Sequence, residues 1–445
     1  MKITKIYGRE ILDSRGFPTV LCTLELENGR TVHGSVPAGA SVGSHEAYEL
    51  RDNDTTRFFG RGVLQAVHNL NTKIAPVLVG HKPDVFELDK IMIELDGTEN
   101  KSKLGANAIL AVSIAVTRAQ ALVNNLEVFE LLHKLAVRPD CVLRSLQSRS
   151  LDKRRMDGGP EVRLEGSDGG PIPNCMFNII NGGMHADSGL IFQEFMIMSR
   201  KKESMREILN MSVTIYNNLK KLLHKNSYVT SIGDEGGFAP QFELGHHTRE
   251  KTALDFLMQA IEQSGYSYDD VGICLDVAAT SFYDQNSGLY RINGEFITSE
   301  QLIDIYLELV KYYPILSIED GMSEDDWSGW ELLTKKLGDK IQLVGDDLFV
   351  TNISRINMGI EKNIANAVLI KPNQIGTVSE TIKTIDFCQR SSYKTVISHR
   401  SGETNDSFIA DLAVGTGAGQ FKAGACVRGE RVAKYNRLLE IEDLL

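Results

Sequence analysis

No two cysteines in this 445-residue chain stand at C-x-x-C spacing; Cys22, Cys141, Cys175, Cys274, Cys388 and Cys426 are scattered. That excludes a zinc ribbon and a disulfide framework, and it suits the reduced thiols of a cytoplasmic protein. An apolar leader is missing as well: Arg9, Glu10 and Asp13 stand where a signal peptide needs uncharged residues. The longest apolar stretch, near Asn107 to Val116, is too short for a bilayer, so no membrane span is expected. Positive charge is in deficit, with a formal net charge of -11 and a pI near 5.5, so no bulk attraction to nucleic acid or to anionic membrane is expected. An anionic ligand would need its own local cluster of cations. What remains is ordinary for a globular chain, 42% hydrophobic and 24% charged, with room for about two to three domains.

Residues 1–134 read as an α+β domain. The runs "GFPTVLCTLEL" and "GRTVHGSV" predict an antiparallel hairpin around Asn28-Gly29, a strong turn dipeptide. The small-residue segment that follows predicts a mobile loop near 37–46, and from about 62 the pattern turns helical, with "ANAILAVSIAVTRAQAL" as a nearly all-apolar helix. Residues 135–170 are rich in Arg, Asp and Gly without a clean period, and read as a poorly ordered linker or insertion. A nucleic-acid arm fits less well, because acids run through the segment and it holds no aromatic residue.

From 171 to 445 short apolar runs alternate with helical patterns. Six runs end in polar or charged residues, at Asp276, Glu319, Asp346, Lys371, His399 and Lys422, spaced 43, 27, 25, 28 and 23 residues apart. Most of those intervals hold one strand, one helix and two loops. Parallel strands buried on both faces look like this, and a (β/α)8 barrel gathers its chemistry at the carboxyl ends of its strands. The expected fold is therefore α/β, a (β/α)8-type barrel preceded by a smaller α+β domain.

Three acids on consecutive strand ends, Asp276, Glu319 and Asp346, offer hard oxygen ligands of the kind magnesium takes. Singly, each reads as a helix cap or a partner for a neighbouring base; in series beside lysines, a metal site is the better reading. Lys371 follows an apolar strand, and a second cation with a metal nearby would lower its pKa toward the neutral amine of a base. Arg400, Ser401 and Lys422 supply the cluster that would neutralise and orient a phosphate. Two further acids stand in loops, Glu194 in "FQEF" and Glu235 in "GDEGG", where glycines let the backbone turn tightly. Alone, that turn and His185 in "NGGMHADSG" read as surface features. A lysine base, magnesium and an opposing acid together fit removal of a proton beside a carboxylate, then loss of a leaving group. Pairing a Lys or His base with magnesium is an established enzymatic means of reaching the charged intermediate that such a reaction needs.

The segments "LGANAILAVS", "NIINGGMHAD", "QEFMI", "GDEGGFAP", "VGDDLFVTN", "LIKPNQIGT" and "SHRSGETNDSFIADLAVG" resemble those of the enolase family, in order and nearly end to end. The resemblance implies a barrel whose second strand is antiparallel, magnesium as cofactor, and interconversion of 2-phosphoglycerate and phosphoenolpyruvate. It implies that Lys371 is the base at C2 and Glu235 the acid at C3, supported by Glu194. His185, Gln193 and His399 fall in the substrate site with Arg400, Ser401 and Lys422. Asp276, Glu319 and Asp346 hold one magnesium, and Ser41 joins a second. The family further implies a homodimer or larger homo-oligomer and a cytoplasmic location, with cell-surface presence in many members. The alternatives are another enzyme of the same superfamily, such as a sugar-acid dehydratase or racemase, and a non-catalytic scaffold or surface-binding protein with this fold. The sequence departs from the family pattern at Phe17, Ala38, Val277, Ala423 and Ala425, none of which carries an implied catalytic role.

Overall fold

The computed structural model describes residues 1–39, 43–137, 172–201, 203–243 and 248–445. The chain opens with an antiparallel meander of β1 (Ile3–Leu12), β2 (Pro18–Leu26) and β3 (Thr31–Ser35). The expected hairpin joins the last two: Gly29 N donates to Leu26 O at 2.8 Å, and Gly29 takes φ 78, which a residue without Cβ reaches at little cost. Where it is described, 37–46 holds no regular helix or strand; Ser41 lies outside the described residues, as does most of 135–170.

Helices fill 64–78, then Val85–Asp96, Ala106–Val123 and Val128–Ala136. Ala106–Val123 is apolar nearly all round and packs on β2 and β3, as such a helix must in a soluble fold. It includes the stretch read as too short for a bilayer. At full length it matches a membrane span by length and composition, yet 83% of it is buried inside the fold, which makes it a core helix. Its approach to β3 depends on Gly34, where a Cβ would come within 2.4 Å of Ala111 O.

Eight strands then close a barrel: β4 (Asn174–Asn181), β5 (Glu194–Ser199), β6 (Val271–Asp276) and, after a small antiparallel sheet of β7 (Tyr283–Asp284), β8 (Leu289–Ile292) and β9 (Glu295–Ile297), the strands β10 (Ile315–Glu319), β11 (Gln342–Gly345), β12 (Ala367–Ile370), β13 (Lys394–Ser398) and β14 (Gln420–Lys422). The small sheet accounts for the long 43-residue interval between Asp276 and Glu319. As the resemblance implied, β5 runs antiparallel to both β4 and β6, while the remaining neighbours are parallel.

Alternation along the strands sorts the side chains into two layers. Phe177, Phe195, Ile273, Leu275, Val368, Ile370 and Phe421 join the large core shared with the helices. Met176, Met196, Met198, Cys274, Val344, Ala367, Leu369 and Val396 form a separate cluster that fills the lumen. The five cysteines among the described residues are free thiols, four of them buried.

Candidate active site

A period of two carries the lumen pattern to the carboxyl end of each strand. Two residues beyond Cys274 comes Asp276; beyond Val344, Asp346; beyond Leu369, Lys371. Side chains that would be lumen filler one step lower therefore stand at the mouth as charges. All the expected site residues except Glu319 and Ser41 line one cavity there. Glu319 sits directly beside it, bonded to Lys422.

Lys422 is the centre of one half of the site. Its Nζ donates to Glu319 Oε1 and Oε2 at 2.8 and 3.0 Å and to Asp276 Oδ2 at 3.2 Å, and lies 3.5 Å from Glu194 Oε1. Burial would push the ammonium pKa down, but Glu194, Glu319 and Asp276 outweigh it and hold it well above the ordinary value. Glu319 is raised too, by burial first and by Asp276 second. The expectation that Lys422 shares a phosphate with Arg400 and Ser401 thus meets a lysine already surrounded by acids. Gln193 Nε2 donates to Asp276 Oδ2 at 3.3 Å on the rim of the same group.

Lys371 Nζ is ion-paired with Asp346 Oδ2. The nearby cations act on it in the direction the sequence reading expects, and a carboxylate acts against them. Burial does push Lys371 down, as do Arg400 and Lys422, but the Asp346 carboxylate pulls harder and the net shift is upward. The neighbouring carboxylate, which no pattern of cations in the sequence reveals, decides the sign.

Across the cavity, His185 Nδ1 lies 3.6 Å from both Glu194 Oε1 and Glu235 Oε1, so the three form one buried group. Such a pair of carboxyls titrates as a unit. Burial and the charge of Glu235 raise Glu194 well above the carboxylate range. Glu235 is held low: burial pushes it up, but His399, His185 and Arg431 outweigh that. Burial drives His399 itself down to about 3, so near neutral pH it acts on Glu235 as a dipole. Arg431, which can only donate, bonds His399 Nδ1 and so leaves the imidazole proton on Nε2, 3.3 Å from Glu235 Oε2. Asn178 Nδ2 adds a second donor to that oxygen at 3.0 Å. Glu194 is thus held toward its protonated form and Glu235 toward its ionised form.

Several contributors escaped the sequence reading. Glu46 grips Arg400 through two bonds, Nη1 to Oε2 at 2.8 Å and Nη2 to Oε1 at 3.1 Å. Arg15 Nη1 donates to Ser401 Oγ at 3.3 Å. Asp320 and Asp347 stand beside Asp346, close enough together to share one ion, and burial with the Asp346 charge raises Asp347 to about 8. Both were visible as the second acid of "IED" and "GDD", where only one of each doublet had been assigned. Among the departures from the family pattern, Ala38 exchanges two backbone hydrogen bonds with Gly402, Ala425 N donates to Glu235 O at 2.9 Å, and the Phe17 ring lies under the Arg61 guanidinium.

A parallel barrel with one reversed strand, its mouth lined by an acid pair opposite a lysine and by a buried arginine, defines a barrel enzyme for acid–base work on an anionic substrate. Comparison with known proteins narrows the class. Residues 3–132 match the family described as the enolase N-terminal domain, and residues 170–445 the enolase C-terminal TIM barrel domain. The enolase of a Nitratiruptor species is 50% identical over 449 aligned residues, covering 100% of this chain and 97% of that protein. The chain belongs to the enolase family, and with that family comes a divalent metal ion.

Proposed function

We propose that this chain, as a lyase of glycolysis and gluconeogenesis, interconverts 2-phosphoglycerate with phosphoenolpyruvate and water, using Lys371 at C2 and Glu235 at C3. The observation that carries this division of labour is the opposition within one cavity of Lys371 with Asp346 and Glu235 with Glu194. In the forward direction the C2–H bond breaks and its proton goes to Lys371 Nζ as the neutral amine. The C3–O bond then breaks, the electron pair of the former C2–H bond forms the double bond, and hydroxide leaves as water with a proton that Glu194 hands on through Glu235. Arg400 and Ser401 face the phosphate, while His185, Gln193, His399 and Lys422 complete the substrate contacts.

The residues fit a divalent cation. Asp276 and Glu319 are register partners on neighbouring strands, Asp346 follows the next strand, and a buried ammonium already stands among the first two in place of a positive ion. Such hard, anionic oxygens suit Mg2+. Asp276, Glu319 and Asp346 would hold it, with Ser41 on a second ion; when bound, it supplies the positive charge that makes a doubly charged substrate carboxylate accessible and loosens the hold of Asp346 on the Lys371 proton. The same reading takes the chain as a homodimer or larger homo-oligomer in the cytoplasm, with additional cell-surface presence as in many family members.

The test is phosphoenolpyruvate formation followed by ultraviolet absorbance. Turnover should vanish with a chelator and return with Mg2+; undiminished turnover in chelated buffer would overturn the metal assignment.

A further inference from the structure

The segment after Asp346 carries two consecutive β-branched residues in the left-handed region, Val350 at φ 43 and Thr351 at φ 56. Residues of this type are genuine outliers there, and such outliers persist only where the surroundings over-determine them. Thr351 is fully buried, and Gln374 is 1% exposed. The conformation places the Thr351 hydroxyl between Lys371 and Gln374, with the Lys371 carbonyl a distant acceptor at 3.4 Å. Lys371 N donates to Thr351 Oγ1 at 2.9 Å, and Thr351 Oγ1 donates to Gln374 Oε1 at 2.8 Å.

A hydroxyl has one proton, and Gln374 Oε1 is much the nearer of its two acceptors, which sets the direction of this chain. With its Oε1 accepting, Gln374 must present its amide nitrogen elsewhere, and Nε2 donates to Asp346 Oδ1 at 2.8 Å. The other oxygen of Asp346 holds the Lys371 ammonium. The sequence of bonds thus leaves Lys371 by its backbone and returns by its side chain, through Thr351, Gln374 and Asp346. The backbone of Gln374 is also tied to the N-terminal loop, because Ala47 N donates to its main-chain carbonyl at 2.7 Å.

We propose that Thr351 and Gln374 are positioning residues that fix the Asp346 carboxylate, and with it the reacting amine of Lys371, by this closed ring of hydrogen bonds. The inference rests on Lys371 being the base. Thr351 and Gln374 themselves touch neither substrate nor reacting atoms, so their loss should act on the rate of chemistry more than on substrate binding. Outer partners of this kind typically matter by about 10–100-fold in activity or metal affinity.

Thr351→Val is isosteric and equally branched, but it breaks the ring at the hydroxyl; Thr351→Ser keeps the hydroxyl. The expected result for Thr351→Val is a kcat about 10–100-fold lower with KM changed by less than about threefold, and for Thr351→Ser a kcat within about threefold of the parent. Calorimetric titration with Mg2+, without substrate, should show about tenfold weaker affinity for Thr351→Val and recovery in Thr351→Ser. Should Thr351→Val fail to fold by its thermal melt, Gln374→Met breaks the same ring and carries the same expectations. An unchanged kcat in the broken-ring variant, or a Thr351→Ser as impaired as Thr351→Val, would overturn the inference, and an unchanged Mg2+ affinity would overturn it for Asp346. Lys371→Ala is measured alongside: if it alone is inactive, only the positioning claim has failed, whereas solvent exchange of the C2 proton by Lys371→Ala would remove the base assignment beneath it.

Discussion

The lumen of the barrel and its mouth are built on the same strands, two residues apart, and obey opposite rules. In the lumen, Leu369, Val344, Val396 and the methionines of β4 and β5 fill space and leave no polar atom in need of a partner. At the mouth, Asp276, Glu319, Asp346, Lys371 and Lys422 are equally buried or nearly so, but each is stable only through the charge of another. Substituting a lumen residue removes contacts that are additive and local. Substituting a mouth residue strands its partners, which is the costlier event in a low-dielectric site. The apolar layer holds the geometry, so the charged layer above it can be arranged for chemistry.

Two substitutions sharpen that contrast. Lys422→Met should destabilise the metal-free protein by about 3–5 kcal/mol, since it leaves Asp276 and Glu319 buried without their ammonium, and it should also abolish turnover. Mg2+ should restore part of the lost stability and none of the activity, as read from thermal melts with and without the ion. Leu369→Ala should destabilise by roughly 2–5 kcal/mol through the cavity it leaves, toward the lower end if the neighbouring methionines collapse into it. Its kcat at temperatures where it is folded should stay within about threefold, and Mg2+ should not single it out for rescue. Equal responses of the two variants to Mg2+ would remove the distinction between the layers.

How far the sequence revealed this site depended on strand direction. On parallel strands the mouth comes last, so an apolar run ending in a charge located Asp276, Glu319, Asp346, Lys371 and Lys422 at once. On β5, which runs the other way, the mouth comes first: Glu194 opens the strand and the apolar residues follow. Only the family resemblance supplied that reversal. Acid doublets were half legible. A period of two assigns one member to the lumen side, and Asp320 turns back toward Asp346 and Asp347 only because its backbone takes φ 41, which no periodicity announces. Glu46 sits in a loop without a period, so its grip on Arg400 could not be foreseen. The pull of Asp346 on Lys371 was hidden for a similar reason: cations were counted along the chain, while that carboxylate comes from the neighbouring strand.

The central claim is that two sides of one cavity act on two different bonds. It is tested most directly by incubating 2-phosphoglycerate in deuterated buffer with each variant and following deuterium at C2 by NMR. Lys371→Ala should lose both turnover and C2 exchange, by about a thousandfold or more if it is the sole base. Glu235→Gln should lose turnover while exchange at C2 continues, because the base and the cation-binding acids are untouched. Exchange that survives in Lys371→Ala and disappears in Glu235→Gln would show that the two roles are reversed.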